Sequence, residues 1–339
     1  MATNESKTSI DKLQQIKNNL INKDPHRMCW MRAIEVTLTS QKTGRKMVFS
    51  TDNQNQFTMD ITGYKRLALL EDKGTLSIWN LEYDKIMQII LQQYYTIEIK
   101  VGYKSLGTLN TIFKGEVSFI TQKIHSKHDV ETYINFASTT VAKYSQSRMN
   151  YNFNAGYNIY GALNYAFHIN GIGSNVKISP ELKKEFLDNV YSNYTTLDTV
   201  VDYLALTGGT YDISSDSSEG NVINVTSIND KRRIKIDPNT INITRGNPTV
   251  NSNGLNITLL PTINFMPGDI LQLDNALIDV SIRDADAVYN TFNSNYLDQN
   301  GEYMIREIQF YFQNRGDAFE YNIRAWPIRY IDQIQMGGT

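Results

Sequence analysis

The feature that most constrains this chain is a two-residue hydrophobic period that appears twice, once in each terminal third. Ile34, Val36 and Leu38 alternate with Glu35, Thr37 and Thr39, and Ile97, Ile99 and Val101 alternate with Glu98 and Lys100. Phe57, Met59 and Ile61 follow the same rule, and Phe113, Val117 and Phe119 share one parity. Val130, Thr132, Ile134 and Phe136 end this first series. Successive strand side chains point to opposite faces, so such a pattern predicts antiparallel sheet with one face buried. The period returns in Leu255, Ile257 and Leu259, then in two long strands. In the first of these Met304, Ile308, Phe310 and Phe312 share a parity, and in the second Phe319, Tyr321, Ile323 and Ala325 do. The stretch from Gln313 to Ala318 reads as the turn between them. Each series suggests a small barrel or sandwich.

Helical spacing interrupts this pattern at defined places. Leu81 to about Gln92 carries Ile86, Ile89 and Ile90 on one side. Around Ile159, Leu163, Ala166 and Phe167 a second helix is expected. A third is clearer, because Leu197, Val200, Val201, Leu204 and Ala205 follow the i, i+3, i+4, i+7, i+8 rule. Thr195 or Thr196 serves to cap it and Gly208-Gly209 to stop it. A hairpin from Thr210 to Ile213 and Val222 to Val225 completes a small α+β module. Near the N-terminus Ile10, Leu13, Ile16, Leu20 and Ile21 outline a short amphipathic helix, with Ser9 as cap and Asp24-Pro25 as stop. A helix of that length is marginal in water and needs a docking partner. The organisation expected is therefore 1–28 tail and short helix, 29–140 first β-domain, 141–230 α+β module and 231–339 second β-domain. The fold class is α+β, mostly β.

Composition excludes several functions. With 33 Lys+Arg against 35 Asp+Glu, a net charge of -2 gives no drive toward nucleic acid or acidic lipid. The basic run Lys231-Arg232-Arg233-Ile234-Lys235 reads as a solvated strand face or turn rather than a phosphate patch. A single cysteine, Cys29, rules out an intrachain disulfide and points to the cytoplasm as the place of synthesis and assembly. The polar stretch from Met1 to Lys7 leads into no apolar segment of signal-peptide type, and no run is long enough to span a bilayer. The 21 tyrosines suit sheets and protein interfaces.

The search for chemistry returns no catalytic, metal or cofactor constellation. The run from His125 through His128 and Asp129 to Glu131 resembles a metal cluster, but it enters a strand where positions three apart face opposite ways, and it lacks a third ligand. Cys29 beside Trp30 has no partner histidine and reads as a structural thiol. Gly171-Ile172-Gly173 lacks the third glycine and the preceding strand of a nucleotide loop. The expectation is a protein that is not an enzyme.

An ordered succession of short segments resembles the baseplate hub family of contractile phage tails and related injection machines. These are Ile78-Trp79-Asn80-Leu81, Val101-Gly102-Tyr103, and Ile112-Phe113-Lys114-Gly115-Glu116-Val117. Leu259-Leu260-Pro261 and Met266-Pro267-Gly268-Asp269 follow, then Gly301-Glu302-Tyr303, then Gly316-Asp317 before Tyr321-Asn322-Ile323-Arg324-Ala325. The chain departs from the family's final turn, where it has Ala318-Phe319 in place of a basic residue or glycine. The resemblance implies two tail-tube-like antiparallel β-barrel domains separated by the α+β module. It implies a homotrimer in the virion tail, adapting a six-fold tube to a three-fold central spike around a lumen for the genome. Partners on this reading are the chain itself, the spike protein, the tube protein and other baseplate proteins, with no membrane and no sequence-specific nucleic acid. The matching positions (Ile78, Asn80, Leu81, Gly102, Tyr103, Phe113, Gly115, Pro267, Gly268, Gly301, Tyr303, Gly316 and Asp317) read as fold residues. Other readings are a hub of a tail-derived bacteriocin or injection particle, a tail-associated cell-wall hydrolase, and a receptor-binding tail protein.

Overall fold

The computed structural model describes residues 31–51, 57–67, 72–126, 129–138, 148–172, 176–207, 211–216, 222–237, 246–251, 254–280, 297–298 and 300–328. The N-terminal helix, His26, Cys29, Trp30, His128, Gly173 and Gly208-Gly209 lie outside them. The first strand-rich region holds β1 (Arg32–Ser40), β2 (Lys46–Ser50), β3 (Met59–Arg66), β4 (Lys73–Trp79), α1 (Tyr83–Leu91), β5 (Tyr94–Tyr103), β6 (Thr108–Ile124) and β7 (Val130–Ala137). The middle region holds β8 (Arg148–Phe153), α2 (Ile159–Ile169), β9 (Val176–Ile178), β10 (Tyr191–Thr196), α3 (Leu197–Thr207), β11 (Tyr211–Asp216) and β12 (Val222–Ser227). The last holds β13 (Arg233–Lys235), β14 (Thr249–Asn251), β15 (Gly254–Leu259), β16 (Ile270–Gln272), β17 (Asp279–Val280), β18 (Glu302–Gln313) and β19 (Phe319–Pro327).

The mostly β, α+β class expected from periodicity is what is found. The finer arrangement is a single 14-stranded sheet whose main path runs β17-β14-β15-β19-β18-β3-β4-β7-β6-β5-β1-β2. Among the described residues that path has two ends and does not close into a barrel. The two strand-rich regions meet where β18 pairs antiparallel with β3, from Glu307↔Arg66 to Gln313↔Asp60. The same edge of β18 pairs with β16 nearer its start, at Glu302 to Met304. A register shift between Ile305 and Glu307 separates these two partnerships. A bulge there bends the strand and lets one edge serve two neighbours.

One apolar core underlies this sheet. Ile34, Val36, Leu38, Ile97, Ile99 and Val101 from the first region pack in the same cluster as Leu255, Ile257, Phe310, Phe312, Tyr321 and Ile323 from the last. Two glycines make room for its largest members. Gly63 and Gly74 face each other across β3 and β4. A Cβ on Gly63 would lie 2.4 Å from the Phe310 ring, and one on Gly74 would lie 2.6 Å from Phe136. Glycine in a strand costs stability, and here it permits two aromatic rings to lie flush against the sheet.

Bulges correct two parity expectations, and a helix end corrects a third burial expectation. Phe119 is 57% exposed, because β6 and β7 slip register between Val117 and Phe119 and turn its side chain away from Phe113. Met304 is buried but is not part of the core that holds Phe310, since the bulge after Ile305 moves the core-facing set from Tyr303 and Ile305 to Ile308, Phe310 and Phe312. In α1, Ile86 and Ile89 are buried whereas Ile90 is 51% exposed, as it lies in the last turn beside exposed Leu91.

The middle region has its own core. Ile159, Leu163, Ala166 and Phe167 of α2 meet Leu197, Val200, Val201 and Leu204 of α3 over Tyr151, Phe153, Ile223 and Val225. Gly171, expected to be no nucleotide loop, ends α2 in a left-handed conformation with φ 75°. Its amide donates to His168 O at 2.9 Å and that of Ile172 to Phe167 O at 3.0 Å, a Schellman closure with both apolar partners buried. The hairpin β11–β12 forms with Ile213 opposite Val225, and β9 adds to it in parallel. Strand β10 runs straight into α3, and the Thr196 hydroxyl lies 3.0 Å from that of Thr199.

Candidate functional site

The residues singled out by sequence gather at three knots that tie loops to the sheet, not in one cleft. The first knot is the turn after β4. Asn80 adopts φ 55°, a left-handed value that asparagine tolerates. Its backbone N–H donates to Val130 O at 2.7 Å, and its side-chain Oδ1 accepts from Val130 N at 3.0 Å, so one residue extends the β4–β7 ladder by a rung. Ile78 and Leu81 on either side are buried in the core.

The second knot joins the first strand to the last hairpin. Arg32 donates from Nη1 to Gln313 O at 3.1 Å and to Gly316 O, and from Nη2 to Asp317 O at 3.0 Å. Its guanidinium lies 5.3 Å from the Phe319 ring centroid, and Tyr103 meets that ring edge-on at 5.3 Å. Asn314 in the same turn accepts from Met59 N at 2.9 Å and donates to Phe57 O at 2.7 Å. The turn carrying Gly316 and Asp317 is thus held by β1 and by the approach to β3. Gly102 and Gly115 lie within β5 and β6. A Cβ on Gly115 would sit 2.6 Å from Ala137 O and from the Phe113 ring, so the close approach of β6 to β7 needs glycine.

The third knot lies in the last region. Gly268 has φ 91° and donates to Ile305 O at 2.8 Å, directly after Pro267. Gly301 has φ 69°, and a Cβ there would meet Leu273 O at 2.0 Å. Tyr303 is buried, donates to Asn275 Oδ1 at 3.0 Å and accepts from Asp298 N at 3.2 Å. Burial pushes its phenol up to about 12, so it stays neutral and serves as a fixed hydrogen-bond post.

One polar cluster was not legible as a unit. Glu131 accepts from Ser77, Tyr133 and His125, the last at 2.8 Å. His125 stacks on Trp79 with centroids 5.0 Å apart. Trp79 donates in turn to Asp60, whose carboxyl is raised by burial and by the nearby Glu131 charge. Three strands and the turn after β6 bring these residues together, and no local motif announces them. His125 therefore spends its ring on a carboxylate, and among the described residues no group of three ligands is arranged for a metal.

The basic run is charge-paired. Arg232 donates to Asp269 from Nε at 3.1 Å and from Nη2, Arg233 reaches Glu302 at 3.1 Å, and Ile234 enters the core. Burial raises Asp269 more than Arg232 lowers it. Among the described residues no helix is long and apolar enough to cross a membrane.

Neither a family model nor a curated protein sequence matches the chain. Solved structures do. The 43 kDa tail protein of prophage MuSo2 from Shewanella oneidensis superposes with a TM-score of 0.54 at 10% identity, over 88% of this chain and 98% of that one. The tail protein of Neisseria meningitidis MC58 superposes with a TM-score of 0.50 at 10% identity, over 88% and 97%. The fold is that of phage tail proteins. A component of the type VI secretion system from E. coli aligns with a TM-score of 0.47 at 10% identity, over 81% of this chain and 75% of that chain. The first two of these structures are described as tail proteins.

Proposed function

We propose that this chain is a structural component of a phage tail, and within it the hub that joins the tail tube to the central spike. The observation that carries the reading is the likeness to two tail proteins along nearly their whole lengths. The knots support it, because the matching positions hold turns and close strand approaches in place instead of lining a reactive cleft.

On this reading each chain supplies two tube-like units, one from each strand-rich region. Three chains then present six such units, which match the six-fold tube, in a three-fold assembly that matches the spike, around a lumen for genome passage. The sheet has unpaired ends at β2 and β17 among the described residues. Neighbouring copies in a ring would cover such edges. The partners are a second and third copy, the spike, the tube protein and other baseplate proteins, assembled in the host cytoplasm into the virion. The near-neutral charge suits a conduit that does not retain DNA.

Light scattering of the purified chain mixed with its spike tests this, and a stoichiometry of three chains per spike trimer is expected. A chain that stays monomeric with both spike and tube protein present overturns it.

A further inference from the structure

A cleft of about 350 Å³ opens where the β18–β19 turn overhangs the start of α1. Phe57 and Trp79 wall it, and Asn80, Glu82, Lys85 and Arg315 line it. Its volume lies at the lower end of the range of ligand sites.

Three observations mark it as prepared for a ligand. The first is charge. Lys85 is engaged by Glu82 at 3.3 Å and sits 5.4 Å from the Phe57 ring. Arg315 has no carboxylate partner among the described residues and is exposed at the rim. Among the described residues the cleft therefore offers one uncompensated cation. The second is rigidity. The residues on either side of Arg315 are pinned, Asn314 to Phe57 O at 2.7 Å and Gly316 by Arg32, so the guanidinium is presented from a braced turn. The third is the wall. Trp79 is held by its stack on His125 and its bond to Asp60, which fixes an aromatic surface beside the cation.

We propose that this cleft binds a carboxylate-bearing segment of a partner polypeptide, the acid pairing with Arg315 and its apolar flank lying between Phe57 and Trp79. A planar guanidinium matches a carboxylate in bidentate fashion, and a preformed wall lowers the ordering cost of binding. A phosphate monoester fits less well, because it is a dianion and a single unpaired arginine cannot neutralise it. The site does not rest on the tail-hub reading, since the chain outside any particle would still bind such a peptide.

The probe is the peptide acetyl-Leu-Glu-Leu-amide, with acetyl-Leu-Gln-Leu-amide as its neutral control. Both are titrated into the full chain while the indole N–H resonance of Trp79 is followed by NMR. The expected result is a saturable shift with the acidic peptide and about tenfold weaker binding of the neutral one, in line with a charged hydrogen bond. Arg315→Ala is expected to reduce the acidic peptide to the neutral peptide's affinity without changing the melting temperature, because Arg315 is exposed and makes no ion pair among the described residues. Lys85→Ala is expected to change affinity less than threefold, its charge being already spent on Glu82. Equal binding of the two peptides, full affinity in Arg315→Ala, or no shift with either peptide overturns the proposal.

Discussion

The sheet and the insert reach stability by opposite routes. The insert packs α2 and α3 on strands that all lie between residues 148 and 227, so its core is assembled from sequence neighbours. The sheet depends on partners far apart in the chain. Its β3–β18 ladder joins residues near 60 to residues near 310, and Arg32 reaches a carbonyl 281 positions away. Long-range pairing must close large loops before any contact rewards it, whereas local helices form early. The comparison teaches that the two strand-rich regions cannot be treated as energetically separate, although sequence reads them as two. The insert, by contrast, has what it needs to behave as a unit of its own.

Substitutions that act on one core and not the other sharpen this contrast. Phe310→Ala should be the most damaging. Phe310 is fully buried, stacks on Phe312 at 5.8 Å and lies over Gly63. Removing the ring should cost about 3–5 kcal/mol. Because β18 belongs to the ladder that joins the regions, hydrogen exchange should accelerate together in β1, β5 and β19. Acceleration confined to β18 and β19 would break the claim of one cooperative sheet. Leu163→Ala should cost about 2–4 kcal/mol in the insert core. Its exchange should rise in α2, α3 and β12 while β3 and β18 keep their protection.

Arg32→Ala probes the link between the chain's two ends at a smaller scale. Its bonds to Gln313, Gly316 and Asp317 are partly exposed, so the loss should be about 1–2 kcal/mol. The informative readout is local. The amides of Gln313 to Phe319 should exchange faster, and Asn314 should loosen its hold on Met59. Arg32→Lys should restore little, because an ammonium cannot reach three carbonyls from one planar fork.

The same contrast explains what could be read in advance. Ile34, Val36 and Leu38 declare their buried face because a strand's period is local, and Leu197, Val200, Val201 and Leu204 do so for a helix. Periodicity fails where a single extra residue intervenes. Phe119 and Met304 fall on the wrong side of bulges that leave no mark in the sequence. The glycines with positive φ, Gly268 and Gly301, stand in turn contexts and are legible, whereas Gly63 and Gly74 are not. Their reason is the aromatic ring packed above, supplied in Gly63's case by Phe310 from the far end of the chain. Arg32 and Glu131 share this fate. Each is one charged residue in an alternating strand until distant segments bring its partners.

Glu131 gives the smallest expected effect and tests whether the sheet's outer polar cluster contributes at all. Burial works to raise its carboxyl, but the bonds from Ser77, Tyr133 and His125 together outweigh burial and hold it below the ordinary value of 4.5. A carboxyl depressed in the folded state stabilises the fold above its unfolded pKa, and that contribution disappears as pH falls through the folded value. Wild type should therefore lose melting temperature faster than Glu131→Gln as pH is lowered from about 5 to 3. Asp60 opposes this trend, because burial and the Glu131 charge raise its own carboxyl. In Glu131→Gln that charge is gone and Asp60 relaxes downward, which narrows the difference between the proteins. The gap in melting temperature should accordingly be modest at neutral pH and shrink on acidification. A gap that widens on acidification would mean that burial dominates at Glu131, and the cluster would then be a cost to the sheet.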